Sequence, residues 1–589
     1  MRFRRLVYWN DPKACSGLVF FSQLLEEMLF VFSLDTYKAS VMHTGLLCTE
    51  ALDVITEIEL GNVMQPNIYH VNAELCSTFE KDPVAQALVP LPFSAFSPVL
   101  KNPKSTLKEI QTVLSFLSVQ LTKASYRKKA QNLLHQEIIG PQSLTNIRRL
   151  TRSYVTSLIS SGFDQRHIQI QAAEYFYSSK NRISDSAAIQ GFFDLFPFDN
   201  IKFNVVFKVD PIFEHVGENL ASIGLNITRQ IPAEIDASKH KKFVTDSEHA
   251  VFAIATDLAA KDDFSARDLA EQRLKLCSTL LNLFHHKENP SWRNECLVHR
   301  IDKNSVKQIG NPINAMHKCA DLTPAVASSR MKSLFNEFSL ENNSFAKFVR
   351  SAQLHSMALT SNSHENQILN LWIALESLVP SETKLDDLSN IEHITNSLSP
   401  FLNIGYLEKL IYNLVKDLFR WNYGETRKAL NGIDGKKLSE RLIKLMIFDE
   451  HKPQRDALIA SFRDFHLMAD RFDFLSSVVA KPSNTIEALD AHKTRLAWQI
   501  RRIYRTRNII VHSGKTPSYT KALIEHTHDY LDTVLLLLVK LASTPKSINS
   551  VAQGFKYIEM KYSHFYKSLS EKSLVYTPAN IEALLLPKS

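Results

Sequence analysis

Apolar side chains recur every three to four positions along most of this chain, a period that predicts helices. "LKEIQTVLSFLSVQL" (107–121) and "LTNIRRLTRSYVTSLISS" (144–161) are examples, and the first two hundred residues read as helical after a short opening strand. The period then changes. In "IKFNVVFKV", Ile201, Phe203, Val205, Phe207 and Val209 alternate with more polar neighbours, as in a half-buried strand. "LNITRQI" and "HAVFAIAT" read as further strands, so a small sheet is expected over about 195–260. A long helix should follow, with Ser265 and Asp268 at N-cap and N3 spacing before "LAEQRLKLCSTLLNLF", ending in "HHKENPSW". From about 340 onward the pattern is nearly all helical, over 343–360, 364–379, 405–420, 436–448, 453–479, 485–513 and 519–543. Charged or glycine-containing loops such as "TKLDDLSN" and "NGIDGKKLS" separate these segments, and the tail after Pro545 reads as an aromatic, basic docking helix.

The expected fold is therefore mainly α, with a small β-sheet in the N-terminal region and a C-terminal all-α bundle. Three parts are expected: an α+β region over 1–335 that splits into subdomains near 195, a helical domain over 340–545, and a tail over 546–589. A length of 589 residues agrees with two or three domains. Hydrophobic content of 44% with 22% charged residues is that of a soluble globular protein. Only 15 glycines argue against glycine-rich phosphate loops. The GxxGK in "NGIDGKKLS" lacks both the Walker spacing and a preceding strand.

Six scattered cysteines (Cys15, Cys48, Cys76, Cys277, Cys296, Cys319) without CxxC spacing read as reduced thiols. His285 and His286 have no third ligand at a recognisable spacing and suit a solvated helix end, so no metal and no cofactor are expected. The N-terminal apolar run contains Glu26 and Glu27 and fails as a signal peptide, and "TVLLLLV" is too short to span a bilayer. A cytoplasmic protein that does not enter membranes is expected.

The net charge of +8 says little for a chain of this length, but local clustering says more. Between Ala491 and Lys521 stand eight cations (Lys493, Arg495, Arg501, Arg502, Arg505, Arg507, Lys515, Lys521) and no Asp or Glu. That is the electrostatic footprint expected for a nucleic-acid backbone, although such runs are usually solvated faces. Within it, "YRTRNIIVHSGK" puts Arg507 on the apolar stripe of Leu496, Ile500, Ile503, Tyr504, Ile510 and Val511. A guanidinium there must be paired or must face a cleft. Gly514 suits the C′ position of the helix, which would leave His512 at a helix end. Spacing alone is uninformative, because Arg350 with His355 and Arg293 with His299 are comparable pairs. In "ENQILNLWIALESLV", Glu376 shares a face with Trp372 and is a natural partner for Arg507 across a bundle.

"LWIALESLV" followed by "YRTRNIIVHSGK" resembles the HEPN superfamily, most closely its Apea-like branch, over roughly 340–545. Arg507-Asn508-Ile-Ile-Val-His512 fits that superfamily's motif of arginine, a polar residue and a following histidine. The resemblance implies a metal-independent endoribonuclease that homodimerises to join two motifs, with Arg507, Asn508 and His512 catalytic and Glu376 supporting. It also implies an effector of bacterial abortive infection, or a toxin-like protein, whose N-terminal region responds to a phage-derived trigger. Arg501, Arg502, Arg505 and Lys515 are expected to contact RNA, tRNA among the targets. Some members carry a modified tyrosine two residues after the histidine; here that position is Gly514, which argues against pairing with a nucleotidyltransferase. The competing expectation is a non-catalytic RNA- or protein-binding scaffold that uses the bundle to dimerise.

Overall fold

The computed structural model describes the chain except residues 1–2, 237, 245–250, 311–313, 319–321, 544–546 and 588–589. Cys319 and the first two residues of "HAVFAIAT" therefore lie outside the described residues. The fold is mainly α with one small sheet. Among the described residues the expected opening strand is reduced to a single parallel bridge between Trp9 and Ile183, and the first regular element is the helix Ser16–Leu29.

The sheet has five antiparallel strands: β1 (Ile201–Val209), β2 (Leu225–Thr228), β3 (Val251–Ala260), β4 (Trp292–Arg300) and β5 (Ser305–Ile309), in the order β2-β3-β1-β4-β5. It runs well past residue 260, because a hairpin from 292 to 309 completes one edge. In β4 Cys296, Leu297, Val298 and His299 are buried in succession. Cys296 and Val298 join the core under the helix Asp263–Leu281, while Leu297 packs with Val206 and Phe252 on the opposite face. A strand covered on both faces loses the alternation by which strands are read. The helix Asp263–Leu281 is capped by Asp262, whose carboxylate accepts the N–H groups of Phe264 and Ser265; Ser265 sits at N3 of this capping box rather than at the N-cap. The segment expected as one helix over 453–479 is two, Lys452–Ser461 and His466–Val479. The break carries the left-handed Arg463 (φ 47°) and buries Phe462 and Phe465.

The cores do not follow a boundary at 340. One core joins residues 9–196 to helices between 404 and 489 and to the tail residues Tyr562–Leu586. The other unites the helices Asn342–Thr360, His364–Leu378, Asn390–Asn403, Thr520–Ser543 and Val551–Leu569 with the C-terminal half of Pro482–Ser513. The expected 340–545 domain is thus shared between two cores, and the tail helix docks into both of them. Pro482–Ser513 is 32 residues long, so it spans about 48 Å and can contribute to each. Among the described residues no helix is long and apolar enough to cross a membrane.

Candidate functional site

The helix Pro482–Ser513 carries the motif on its last two turns. Leu496, Ile500, Ile503 and Ile510 are buried in the second core, which fixes the rotation of the helix. Val511, expected on the same stripe, is half exposed. The helix stops at Gly514, whose φ of 64° is left-handed and whose N–H reaches the Ile510 carbonyl at 3.1 Å. This is the expected C′ glycine.

Arg507 is half-buried, Asn508 is buried and His512 is exposed at the helix end. The Arg507 Nη1 donates to Asn508 Oδ1 at 2.9 Å, while its Nε is buried without a hydrogen-bond partner. Arg507 and Asn508 are thus in contact, and His512 lies on the same helix end with its imidazole exposed. Glu376 does not hold Arg507 as expected. Its carboxylate accepts the Trp372 indole N–H at 3.1 Å, and among the described residues it makes no ion pair with Arg507. The turn-to-turn spacing that placed Glu376 on the tryptophan face also delivers it to that indole. Trp372, almost fully buried, in turn lies 5.7 Å from the Tyr504 ring.

Among the described residues, four of the eight cations in the basic run are paired with acids distant in sequence. Glu50, on Thr44–Glu59, accepts from Arg502 Nε at 3.0 Å and from Arg505 Nη2 at 2.7 Å. Glu74, on Pro66–Phe79, accepts from Arg502 Nη2 at 2.6 Å. All four side chains are buried. Burial alone would raise the Glu50 carboxyl, but the charges of Arg502 and Arg505 outweigh it and hold it below its ordinary value. Glu74 is raised instead, because burial there exceeds the pull of Arg502. Arg502 and Arg505 are therefore corrected from RNA-facing residues to interior ions that bind the motif helix to the N-terminal helices. Their positions on the helix face opposite the second core turn them into the neighbouring helices rather than into solvent.

Arg501 and Lys515 keep partial access. Arg501 is matched in bidentate fashion by Glu392, at 2.9 and 2.8 Å. Glu392 also meets His70 Nε2 at 3.3 Å. Lys515 lies 3.4 Å from Glu57, which also accepts from Ser513, but the lysine side chain is 67% exposed. Sequence reasoning missed Glu50, Glu57, Glu74 and Glu392 because none lies within a hundred residues of its basic partner; the absence of any acid inside the run was the one available sign.

Two cavities flank these elements. One of about 380 Å³ lies between the N-terminal helices and the motif helix and is lined by Arg148, Arg152, Arg495, Arg502 and His526 among others. A larger one of about 900 Å³ is walled mainly by apolar groups, including Phe401, Leu496 and Tyr530. Neither includes Arg507 or His512. Among the described residues one group of potential metal ligands converges: His355, His528 and Asp532. The five described cysteines are free and buried. Compared with known proteins, the chain matches no family model, no curated protein and no solved structure.

Proposed function

We propose that the chain is an endoribonuclease of HEPN type that cleaves RNA without a metal, through Arg507, Asn508 and His512. The observation that carries this reading is the helix end itself. A left-handed Gly514 stops the helix immediately beyond an exposed imidazole, and one turn back a guanidinium is hydrogen-bonded to Asn508. An exposed histidine can take the proton from an RNA 2′-hydroxyl or deliver one to the leaving 5′-oxygen. An arginine can stabilise the charge gathering on the non-bridging phosphate oxygens. Exposed Val511 beside His512 supports a second copy docking here, as the composite site of a homodimer requires.

The regulatory part of the proposal is that the N-terminal region restrains this site until a phage-derived trigger arrives. The Glu50 and Glu74 contacts to Arg502 and Arg505 support it, since they couple the N-terminal helices to the helix that ends in the motif. The same contacts favour a second reading, in which the helical bundle is a scaffold and its arginines serve cohesion rather than RNA.

Cleavage products separate the two readings. Purified protein is incubated in EDTA with total tRNA and with a long single-stranded RNA, beside His512→Ala and Arg507→Ala variants of unchanged fold. The nuclease reading expects fragments ending in 2′,3′-cyclic phosphate, lost in both variants. Products with 5′-phosphates, or a strict Mg²⁺ requirement, would overturn it. If the isolated protein is silent, toxicity in host cells that His512→Ala abolishes supports a restrained nuclease; absence of toxicity supports the scaffold.

A further inference from the structure

Away from the motif, His355 on Asn342–Thr360 reaches across to His528 and Asp532 on Thr520–Ser543, two helices of one core. The two imidazole Nε2 atoms stand 2.8 Å apart. The carboxylate of Asp532 presents one oxygen 3.4 Å from His355 Nε2 and its other oxygen 3.4 Å from His528 Nε2. Three groups that can each offer a lone pair thus face a common point. We propose that His355, His528 and Asp532 bind a divalent transition-metal ion of the Zn²⁺ class, through both Nε2 atoms and the Asp532 carboxylate, with the remaining position open to solvent.

The geometry supports this on several counts. A tetrahedral ion with bonds of about 2.0–2.1 Å spaces its donors by about 3.3 Å. Each imidazole Nε2 stands at about that spacing from one of the two carboxylate oxygens, so a single-oxygen ligand needs a small turn of the carboxylate. The separation between the two Nε2 atoms is short by roughly 0.5 Å, the contraction expected when two imidazoles share one hydrogen bond. A small rotation of either ring restores it, because the rings are tilted by 35° with centroids 4.8 Å apart rather than locked in a stack.

The donor set decides the kind of ion. Two imidazoles and one carboxylate suit zinc, cobalt or nickel, whereas magnesium and calcium select oxygen ligands. Access is graded. The His528 side chain is 4% exposed, His355 21% and Asp532 33%, so the ion would enter from the Asp532 side and keep a water there. His528 and Asp532 stand four residues apart on one helix and so share a face, which gives the ion a preformed two-ligand arm. Bound metal would tie Asn342–Thr360 to Thr520–Ser543, helices that both pack on His364–Leu378.

The test is independent of RNA cleavage. Full-length protein freed of metal with a chelator is titrated with Co²⁺, followed by visible d–d absorption, then back-titrated with Zn²⁺ and separately with Mg²⁺. The expected result is one Co²⁺ per chain, displaced by Zn²⁺ and not by Mg²⁺, with affinity at least tenfold lower in His355→Ala and in Asp532→Asn. Zn²⁺ should also raise the melting temperature of the wild type and not of either variant. Circular dichroism checks the fold; if His355→Ala disturbs it, the volume-conserving Asp532→Asn decides. Absence of a cobalt chromophore in the wild type would leave a hydrogen-bonded histidine pair and overturn the proposal. So would variants that bind like the wild type, or Mg²⁺ displacing cobalt as well as Zn²⁺ does.

Discussion

Glu50→Gln is the sharpest test of how the motif helix is held. Glu50 is buried and receives hydrogen bonds from both Arg502 and Arg505. After the change Arg502 still has Glu74, but Arg505 loses its one carboxylate partner among the described residues, and its Nε is already buried without a hydrogen bond. Leaving one member of a buried ion pair uncompensated costs about 3–5 kcal/mol. Gln keeps an acceptor oxygen in place, which sets the expectation at the lower end, about 3 kcal/mol. Global unfolding of a chain with more than one core is a poor measure of a local effect. Hydrogen exchange of the amides in 496–510 reads the opening of this helix directly. A cost of about 3 kcal/mol should speed their exchange by roughly two powers of ten. The double variant Glu50→Gln/Arg505→Met removes both charges and should recover at least half of the loss, a coupling of about 1.5 kcal/mol or more. The reasoning fails if Glu50→Gln changes exchange less than about fivefold, or if the double variant is as destabilised as the sum of its singles.

Acid should destabilise the protein well above the carboxylate range. Burial, more than any neighbouring charge, lowers His43 to about 3, His70 to about 4, His167 to about 4 and His492 to about 3. These rings stay neutral in the folded state while the unfolded chain protonates them near pH 6.5, so stability is present above that value and is lost as pH falls from about 6.5 toward 4. Melting temperatures measured between pH 7.5 and 5 should fall steadily, with a shallower slope in His492→Gln; a flat profile would contradict the assignment. Glu50 adds a second, lower window. Its carboxyl is depressed, so its contribution is full above about pH 4.3 and disappears as pH falls through its lower folded value. At Gly514 a Cβ would meet no atom within 4 Å, so Gly514→Ala costs only the left-handed backbone, about 1–2 kcal/mol. Exchange at the last turn of the motif helix should rise about tenfold; no change would show that the helix end relaxes without strain.

The sequence by itself determined what depends on residues within a turn of one another. The period of apolar positions places most helices from Asn342 onward to within a few residues, although it leaves Asn390–Asn403 and Tyr423–Leu430 unmarked and merges Lys452–Ser461 with His466–Val479. The alternation in 201–209 defines β1, and Gly514 marks where the motif helix stops. That Arg507, Asn508 and His512 fall on one helix was legible for the same reason, although their spacing alone did not single them out. Local signals failed where a second surface intervened. The strand β4 lost its alternation to burial on both faces, and the boundary near 340 vanished because the helices between 404 and 489 found a better core against the N-terminal region.

Tertiary structure alone decided what the charges do. Arg502 and Glu50 are 452 residues apart, so nothing in the composition of the basic run reveals that its centre is interior and paired. Glu376 shares a face with Trp372 by its spacing, but only packing chose the indole over Arg507 as its partner. His528 and Asp532 could be paired from their spacing, whereas His355 joins them only when its helix is laid beside theirs. A charge costs too much to bury alone, so its partner is found wherever the folded chain brings one, and that choice is made by long-range packing rather than by local propensity.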